Sequence, residues 1–291
     1  MRNQVAKAHI KTWSTPVVSE KKQMIPCNLC GGSSFKAFLV CEGFSYVSCI
    51  SCGLVQMNPQ PLLEEITRRY GEDYLAYELA NEQAFLDLQL LALVDAGFDE
   101  LEQSLTQKKP RLLDIGCAVG SLLVYLRNRG WDVLGVEISR PQAAYAVEKR
   151  KLDVRCFPLE ENQFPAASFD LVLASHLIEH LNDPNALIAE VHRILAPEGY
   201  FFVTTPNISG FQARFFRERW RSLIFDHLYL FSRKTLSRML RERGFVIEKI
   251  VRWGGLAAGT APKPVKRLFD KAAKYFGFGD VMIIRARRNP A

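Results

Sequence analysis

Two acidic residues that follow apolar segments are the strongest candidates for chemistry in this sequence. Asp114 ends a short apolar run and is followed by a turn that contains Gly116 and Gly120. Glycine lets a turn bend tightly and lets a ligand approach the backbone closely. A second apolar run, residues 132–136, ends in Glu137, a carboxylate placed to accept hydrogen bonds from ribose hydroxyls. The pattern predicts a pocket for a nucleoside-containing cofactor at the carboxyl ends of two strands.

The glycine spacing distinguishes two classes of cofactor. A dinucleotide-binding turn has the pattern G-x-G-x-x-G, but counting from Gly116 the other two places hold Ala118 and Ser121. The run instead resembles motif I of the class I S-adenosylmethionine-dependent methyltransferases, with Ala118 in place of the central glycine. The matching residues are Leu112, Leu113, Asp114, Gly116 and Gly120. An ordinary strand-to-helix turn with incidental glycines is the alternative.

The resemblance implies a role for each residue around the cofactor. It places Asp114, Gly116 and Gly120 at the methionine portion and Glu137 at the ribose. Residues 158–164 correspond to the loop that in this family lies against the adenine. The predicted cofactor-binding residues are Asp114, Gly116, Cys117, Gly120, Glu137, Ile138, Leu159, Glu160 and Ser175.

A second phrase of the same family, residues 175–184, follows the fourth apolar run. His176 and His180 are four positions apart, so on a helix they share a face, and either is a candidate general base. In related quinone-pathway O-methyltransferases, a Glu-x-x-Glu-His phrase here can hold a divalent cation. This chain has His176 for the first glutamate, which leaves catalytic metal use open. Capping or packing roles are the alternative for both histidines.

Four cysteines near the amino end have the spacing of a zinc site. Two C-x-x-C pairs, each followed by glycine, are separated by eighteen residues, a pattern typical of tetrahedral zinc held by thiolates. A redox pair or coincidence is the alternative. Four sulfur ligands leave no open position for catalysis, so this zinc is expected to be structural. The predicted metal ligands are Cys27, Cys30, Cys49 and Cys52.

Alternation of strand and helix patterns predicts the fold class. We expect an α/β domain with a Rossmann-like, seven-stranded, mainly parallel sheet whose last strand is antiparallel, plus a small N-terminal zinc-binding module. The predicted strands are 112–115, 132–136, 153–157, 169–174, 200–205, 245–251 and 281–287. The predicted helices are 62–70, 83–107, 121–129, 140–150, 185–195, 234–243 and 263–276. The predicted segments are a flexible N-terminus (1–21), a zinc-ribbon-like module (22–58), a helical linker or cap (59–107), and a methyltransferase domain (108–291) with an insertion at about 206–232.

Composition and charge limit the environment and the partners. The 48% hydrophobic content is typical of a soluble globular protein, no apolar stretch is long enough to span a bilayer, and the polar N-terminus predicts a cytoplasmic protein. Lysine and arginine number 19 against 25 acidic residues in 1–204, but 19 against 6 in 205–291. This asymmetry predicts an anionic partner, and a solvated helical face is the alternative.

These patterns favour one function and leave others open. The preferred hypothesis is methyl transfer to an oxygen or carbon atom of a small anionic metabolite, such as a nucleotide-sugar or lipid-linked intermediate. Ser175-His176-Leu177 replaces the Asn/Asp-Pro-Pro-Tyr phrase of nucleobase amino-methyltransferases. The alternatives are RNA methylation, or a non-catalytic zinc-bearing binder of nucleic acid or membrane. Nucleic acid is not favoured because residues 22–58 carry few basic residues, and peripheral membrane contact through the basic C-terminal third remains compatible.

Overall fold

The structure is a computed structural model that describes residues 21–41, 43–62, 72–105, 109–256 and 262–289. The strands are β1 (Lys22–Gln23), β2 (Phe35–Cys41), β3 (Phe44–Cys49), β4 (Val55–Met57), β5 (Gln60–Pro61), β6 (Arg111–Ile115), β7 (Asp132–Val136), β8 (Val154–Arg155), β9 (Phe169–Ser175), β10 (Leu195–Pro206), β11 (Tyr229–Leu230), β12 (Phe245–Trp253) and β13 (Val281–Arg288). The α-helices are α1 (Glu72–Ala96), α2 (Phe98–Ser104), α3 (Ser121–Asn128), α4 (Arg140–Arg150), α5 (Pro184–Ile194), α6 (Phe211–Phe216), α7 (Arg233–Glu242) and α8 (Lys263–Phe276).

Seven strands form the central sheet in the order β12-β13-β10-β9-β6-β7-β8. Strand β13 runs antiparallel to both of its neighbours, and the pairs from β10 to β8 are parallel. The predicted Rossmann-like sheet with an antiparallel last strand is therefore confirmed. The chain builds outward from β6 in one direction and from β9 in the other, which creates a crevice at their carboxyl ends.

Helices cover both faces of this sheet, which explains the uninterrupted apolar runs in its strands. Leu112 and Leu113 are both fully buried, and they belong to two separate apolar clusters. Successive residues of a strand point to opposite faces, so each of these leucines packs against a different helical layer. The turns after β6, β7 and β9 are thereby held at one edge of the sheet by a rigid core.

A second sheet joins the cysteine-bearing segment to the domain of the central sheet. Its order is β11-β4-β3-β2, and β11 comes from the stretch that the sequence predicted as an insertion. Tyr229 pairs with Gln56 and Leu230 with Val55, in antiparallel register. The insertion therefore completes the sheet of the N-terminal module. A two-residue strand has no periodicity, and for this reason the sequence did not reveal this pairing.

Among the predicted helices, the one before the central sheet differs most from its predicted bounds. The helix expected over 83–107 begins at Glu72, ends at Ala96, and is followed by the separate helix α2 after Gly97, whose φ of 82° breaks the helical path. Tyr74 and Tyr77, which fall between the predicted helices 62–70 and 83–107, thus belong to α1. The predicted helix 62–70, which includes Tyr70, lies outside the described residues apart from Leu62.

No helix in the described part of the chain has the length and apolar character needed to cross a membrane.

Candidate active site at the carboxyl edge of the sheet

The turn after β6 is built from residues with left-handed backbone conformations. Gly116, Ala118 and Gly120 have φ values of 74°, 49° and 78°. A Cβ on Gly120 would lie 2.4 Å from Leu152 Cδ1, so glycine at this position lets α4 and its following loop pack against the turn. Ala118 takes up a conformation that glycine adopts more readily, and its amide donates a hydrogen bond to Glu137 Oε2 at 2.9 Å. Motif I has glycine at this position, and the hydrogen bond to Glu137 helps to hold Ala118 in the left-handed conformation.

Glu137 lies at the end of β7 and faces the crevice. Its Oε2 accepts from the Ala118 amide, and its Oε1 accepts from the Ser139 amide at 2.8 Å. The side chain is buried, which raises the pKa of the carboxyl group although three backbone amides oppose that shift. Two amides therefore fix the carboxylate in one orientation, and the remaining lone pairs can accept hydrogen bonds from a diol.

Asp114 lies near the end of β6 and is almost fully buried. The residue is 2% exposed, lies beneath the turn, and is not among the residues that line the crevice. Its Oδ2 has no hydrogen-bond partner among the described residues. Burial, together with the charge of Glu137, raises the pKa of Asp114 to about 8.

The crevice widens into a cleft of about 1330 Å³. Of the predicted cofactor-binding and catalytic residues, those that line it are Gly116, Glu137, Ile138, Leu159, Glu160, Ser175, His176 and His180. Those that do not are Asp114, Cys117 and Gly120, which lie in or beneath the turn after β6. Ile138 and Phe157 are exposed apolar side chains on the cleft wall, near the end where Glu137 lies.

His176 and Glu179 form a hydrogen-bonded pair in the cleft. The interpretation that His176 and His180 share one face of an α-helix was wrong: His176 has a φ of 51°, and only Ile178–His180 form a short 3-10 helix. His176 Nδ1 lies 3.3 Å from Glu179 Oε1, and Thr205 Oγ1 donates to Glu179 Oε2 at 2.9 Å. His176 is half-exposed, whereas Glu179 is fully buried.

The charge state of Glu179 decides the tautomer of His176. Burial opposes ionisation of Glu179, but the hydrogen bond from His176 and the charges of the nearby histidines lower its pKa to about 2. An ionised carboxylate can only accept, so His176 Nδ1 must donate to it. The Nε2 lone pair of His176 is then free to take a proton from a molecule in the cleft.

A second pair of histidines lies beside the first. The rings of His180 and His227 are 4.7 Å apart and nearly perpendicular. Burial, followed by the charge of His180, lowers the pKa of His227 to about 3, so His227 is neutral at physiological pH. His180 Nδ1 is buried without a hydrogen-bond partner among the described residues. Glu179, His180 and His227 also offer ligand atoms within 4.8 Å of one another, a spacing that a metal ion would fit.

The N-terminal module contacts the segment that carries His227. The hydroxyl of Tyr46 donates to the His227 carbonyl at 2.6 Å, and the Met57 amide donates to the Leu228 carbonyl at 2.7 Å. On its other side, the Leu228 amide donates to the carbonyl of Glu179 at 2.7 Å. The module therefore forms part of the wall behind the histidines.

The four predicted zinc ligands lie together. The sulfurs of Cys27 and Cys52 are 3.4 Å apart, those of Cys30 and Cys49 are 3.5 Å apart, and all four lie within 4.8 Å of one another. Gly31 and Gly53 follow the two C-x-x-C pairs and have φ values of 72° and 77°. These left-handed conformations allow the tight turn, or knuckle, that each pair forms. The amides of Leu29 and Cys30 point at Cys27 Sγ. This is a closed four-sulfur cluster with the donor chemistry of a structural metal site.

Several cleft residues were not among the predicted site residues. They are Tyr74, Arg221, Lys266, Asp270, Lys271 and Lys274. The four residues of α8 could have been noticed from the basic amphipathic pattern of 263–276, which the sequence shows clearly. Their position at the cleft could not be read from that pattern, because it depends on how α8 packs against the sheet.

Comparisons with known proteins agree with this geometry. A family model described as a methyltransferase domain matches residues 82–250, more than half of the chain. Ubiquinone biosynthesis O-methyltransferases of Bradyrhizobium sp. and Coxiella burnetii are 37% and 31% identical over 102 and 112 residues, 33% and 37% of this chain. These matches span 40% and 48% of the relatives, so the chain covers less than half the length of the curated relatives it matches.

Solved structures show the same fold. A methyltransferase of Thermotoga maritima, described as a possible histamine N-methyltransferase, has a TM-score of 0.56 and 24% identity, covering 77% of this chain and 99% of its own. A methyltransferase of Archaeoglobus fulgidus has a TM-score of 0.51 and 20% identity, covering 74% and 99%.

The burial of Asp114 predicts a specific pH dependence of stability. Its folded pKa of about 8 lies above its ordinary value of 3.8, so its contribution to stability is fully present below pH 3.8 and is lost as pH rises towards 8. We expect Asp114→Asn to raise the free energy of unfolding of the ligand-free protein at pH 7, by at most about 4 kcal/mol. Urea unfolding at several pH values between 4 and 9 measures this.

Asp153→Asn is the control, because it removes an exposed carboxylate from the loop before β8. The advantage of Asp114→Asn over the parent should grow from pH 4 to pH 8. Curves that stay parallel over this range would show that Asp114 is ionised at no cost in the folded protein.

Proposed function

The chain belongs to the class I S-adenosylmethionine-dependent methyltransferases, and we propose that it transfers a methyl group to an oxygen or carbon atom of a small anionic metabolite. The observation that carries this proposal is the cleft, which continues from the Glu137 end, past His176, to the basic residues of α8. Pockets for one drug-sized ligand measure roughly 300–1,000 Å³. The volume of about 1330 Å³ leaves room for a cofactor and an acceptor together.

The Glu137 end of the cleft has the chemistry that an adenosyl group requires. The oriented carboxylate of Glu137 can accept from both ribose hydroxyls, and the exposed apolar side chains of Ile138 and Phe157 can cover a flat base. The negative charge of Glu137 also complements the positive charge of the sulfonium in S-adenosylmethionine. The assignment of individual cofactor-binding residues from the resemblance stays a prediction.

The curated relatives favour oxygen as the methylated atom. Their names describe O-methyltransferases of ubiquinone biosynthesis, but the similarity spans only about a third of this chain. Similarity over so short a stretch does not transfer the acceptor. We therefore propose the reaction class from the relatives and derive the acceptor's charge from the cleft itself.

The far end of the cleft favours an anionic acceptor. Arg221, Lys266, Lys271 and Lys274 line it, and of these Lys271 has no ion-pair partner among the described residues. Arg221, Lys266 and Lys274 are paired with Asp280, Asp270 and Asp95. Phosphate or diphosphate groups of a nucleotide-sugar or lipid-linked intermediate fit such a surface.

The chain's own residues supply alignment and proton removal. S-adenosylmethionine, when bound, supplies an already activated methyl group. His176 Nε2 can take the proton from an acceptor hydroxyl, while Glu179 holds the ring and stabilises the imidazolium that forms. Thr205 fixes Glu179 in turn. His227 and His180 close the wall beside this pair and limit the entry of water.

The cluster of Glu179, His180 and His227 supports a second candidate feature, a divalent cation. Neutral imidazole and carboxylate are ordinary ligands for such ions, and the buried Nδ1 of His180 has no partner among the described residues. A cation here would lie beside the proposed base and could polarise an acceptor hydroxyl. Metal analysis tests for this cation, and the rate of a His176 variant tests for the base.

The first prediction of the proposed function concerns cofactor binding. We expect Glu137→Gln to weaken S-adenosylmethionine binding about 10- to 100-fold, because a charged acceptor of two ribose hydrogen bonds becomes neutral. Isothermal titration calorimetry measures the dissociation constant. Glu161→Gln, an exposed carboxylate in the neighbouring 3-10 helix, is the matched control and should bind as the parent does. A parent protein that does not bind the cofactor would contradict the proposed function.

The second prediction concerns the base. Asparagine tolerates the left-handed backbone of His176, so His176→Asn should fold normally. We expect it to lower kcat by roughly 10²–10⁴ without changing cofactor affinity, because only proton removal is lost. The acceptor comes from screening metabolite extracts with labelled cofactor, and the rate is then measured against pH. A variant with unchanged kcat and an unchanged acidic limb would assign the proton transfer elsewhere.

The third prediction concerns metal content. We propose that the four-cysteine cluster holds structural zinc, and elemental analysis should then find about one zinc per chain. Burial raises the pKa of the Cys27 thiol to about 11, so a cation is needed to hold it as thiolate at neutral pH. Cys27→Ser should lose that zinc. A second metal equivalent that survives Cys27→Ser and is lost in His227→Asn would indicate the cation beside Glu179.

A further inference from the structure

Helix α8 presents an unusual outer surface. Its inner face packs through Phe269, whose ring contacts Phe211 and Phe278, and through the fully buried Ala273. The side chains that face away from the protein are mostly large and apolar, and we call them the apolar stripe. They are Val265, Leu268, Tyr275 and Phe276, with exposures of 52%, 72%, 85% and 72%.

A row of cations runs beside the apolar stripe. Arg267, Lys271 and Lys274 follow one another at spacings of four and three residues, which places them on one side of the helix, and all three are exposed. Over its length α8 carries five lysine and arginine residues and only one acidic residue, Asp270. Asp270 is paired with Lys266. Lys274 is paired with Asp95, so Arg267 and Lys271 are the cations of this row without an ion-pair partner among the described residues, and they lie beside the apolar stripe.

Neighbouring elements extend this surface. On α6, Phe215 is 67% exposed and stacks on Phe211, which in turn contacts Phe269 of α8. On α1, Leu88 and Leu91 are 54% and 49% exposed, and the ion pair between Asp95 and Lys274 joins α1 to α8. Exposed apolar residues are thus contributed by α8 and by two helices that each contact it. A contiguous patch of this kind marks an interaction site, whereas single exposed apolar residues do not.

The patch surrounds the mouth of the cleft. Leu88 and Leu91 of α1 line the cleft and are also half-exposed, and Lys271 and Lys274 line it from the side of α8. The cleft thus opens between the two helices that bear the exposed apolar residues. A molecule that enters or leaves at this edge passes directly along the patch.

We propose that α8, with the exposed apolar residues of α1 and α6, docks the protein on an anionic membrane surface so that the cleft opens towards the lipid headgroups. A helix with an apolar outer stripe, flanking cations and an aromatic end has the chemistry of an interfacial helix. Nucleic acid would match the charge but not the aliphatic stripe. A second copy of the same face would add like charge to like charge. Docking does not require methyl transfer, so it stands or fails independently of the proposed reaction.

The experiment is vesicle flotation with the full chain. Vesicles of phosphatidylcholine with phosphatidylglycerol are compared with vesicles of phosphatidylcholine alone, at low and high salt. We expect binding to the anionic vesicles to be about tenfold stronger or more, and to weaken with salt, because each basic residue near the surface contributes about fivefold to partitioning.

The matched variants separate the surface from general effects. L268S/Y275S/F276S removes only exposed side chains, and we expect it to lower partitioning into anionic vesicles by about tenfold or more. The control V40S/I50S makes the same kind of change at two side chains of the cysteine module that are each 65% exposed, and it should bind as the parent does. Thermal unfolding of both variants checks that the fold is retained.

Three results would overturn the proposal. One is a triple variant that binds anionic vesicles as well as the parent. Another is a parent that ignores vesicles but dimerises in light scattering, with the dimer lost in the triple variant, which would assign the patch to self-association. The third is salt-sensitive retention of RNA by the parent in the absence of vesicle binding, which would assign it to nucleic acid.

Discussion

Leu228 holds together the three parts of the molecule that meet at the cleft. Its carbonyl accepts from Met57 of the cysteine module, and its amide donates to Glu179 of the segment that follows β9. Both bonds are 2.7 Å long, and Leu228 itself is fully buried. Because a buried backbone group without a partner costs free energy, neither neighbour can move away without weakening this connection. The position of His227 depends on it directly.

This connection gives the cysteine module a role inside the domain. The pairing of β11 with β4, the bond from Tyr46 to the His227 carbonyl and the contact of Asn28 with Asp183 all link the module to the segments that surround the histidines. A metal that closes the two knuckles would therefore stabilise the wall of the cleft as well as the module.

Buried charge is arranged differently at the two ends of the cleft. At the end where Glu137 lies, burial raises the pKa values of Glu137 and of Asp114, although only Glu137 lines the cleft. Near the middle, Glu179 is buried too, but its histidine partners hold its pKa low. Burial alone therefore does not decide ionisation here. The neighbouring groups matter as well: the histidines lower the pKa of Glu179, whereas the pKa of Glu137 stays raised although backbone amides donate to it.

The features that the sequence determined by itself are local ones. The left-handed glycines of the turn after β6, the paired cysteines with their glycine knuckles, and helices α4 and α8 each follow from residue types a few positions apart, since these set backbone conformation and amphipathic faces directly. The mainly parallel character of the sheet and its antiparallel last strand followed from the alternation of strands and helices together with the resemblance. Tertiary structure alone decided the rest. It buried Asp114, brought His227 against His180, paired β11 with β4, and placed the cations of α8 at the cleft. Each of these depends on contacts between residues far apart in the chain, which no local pattern encodes.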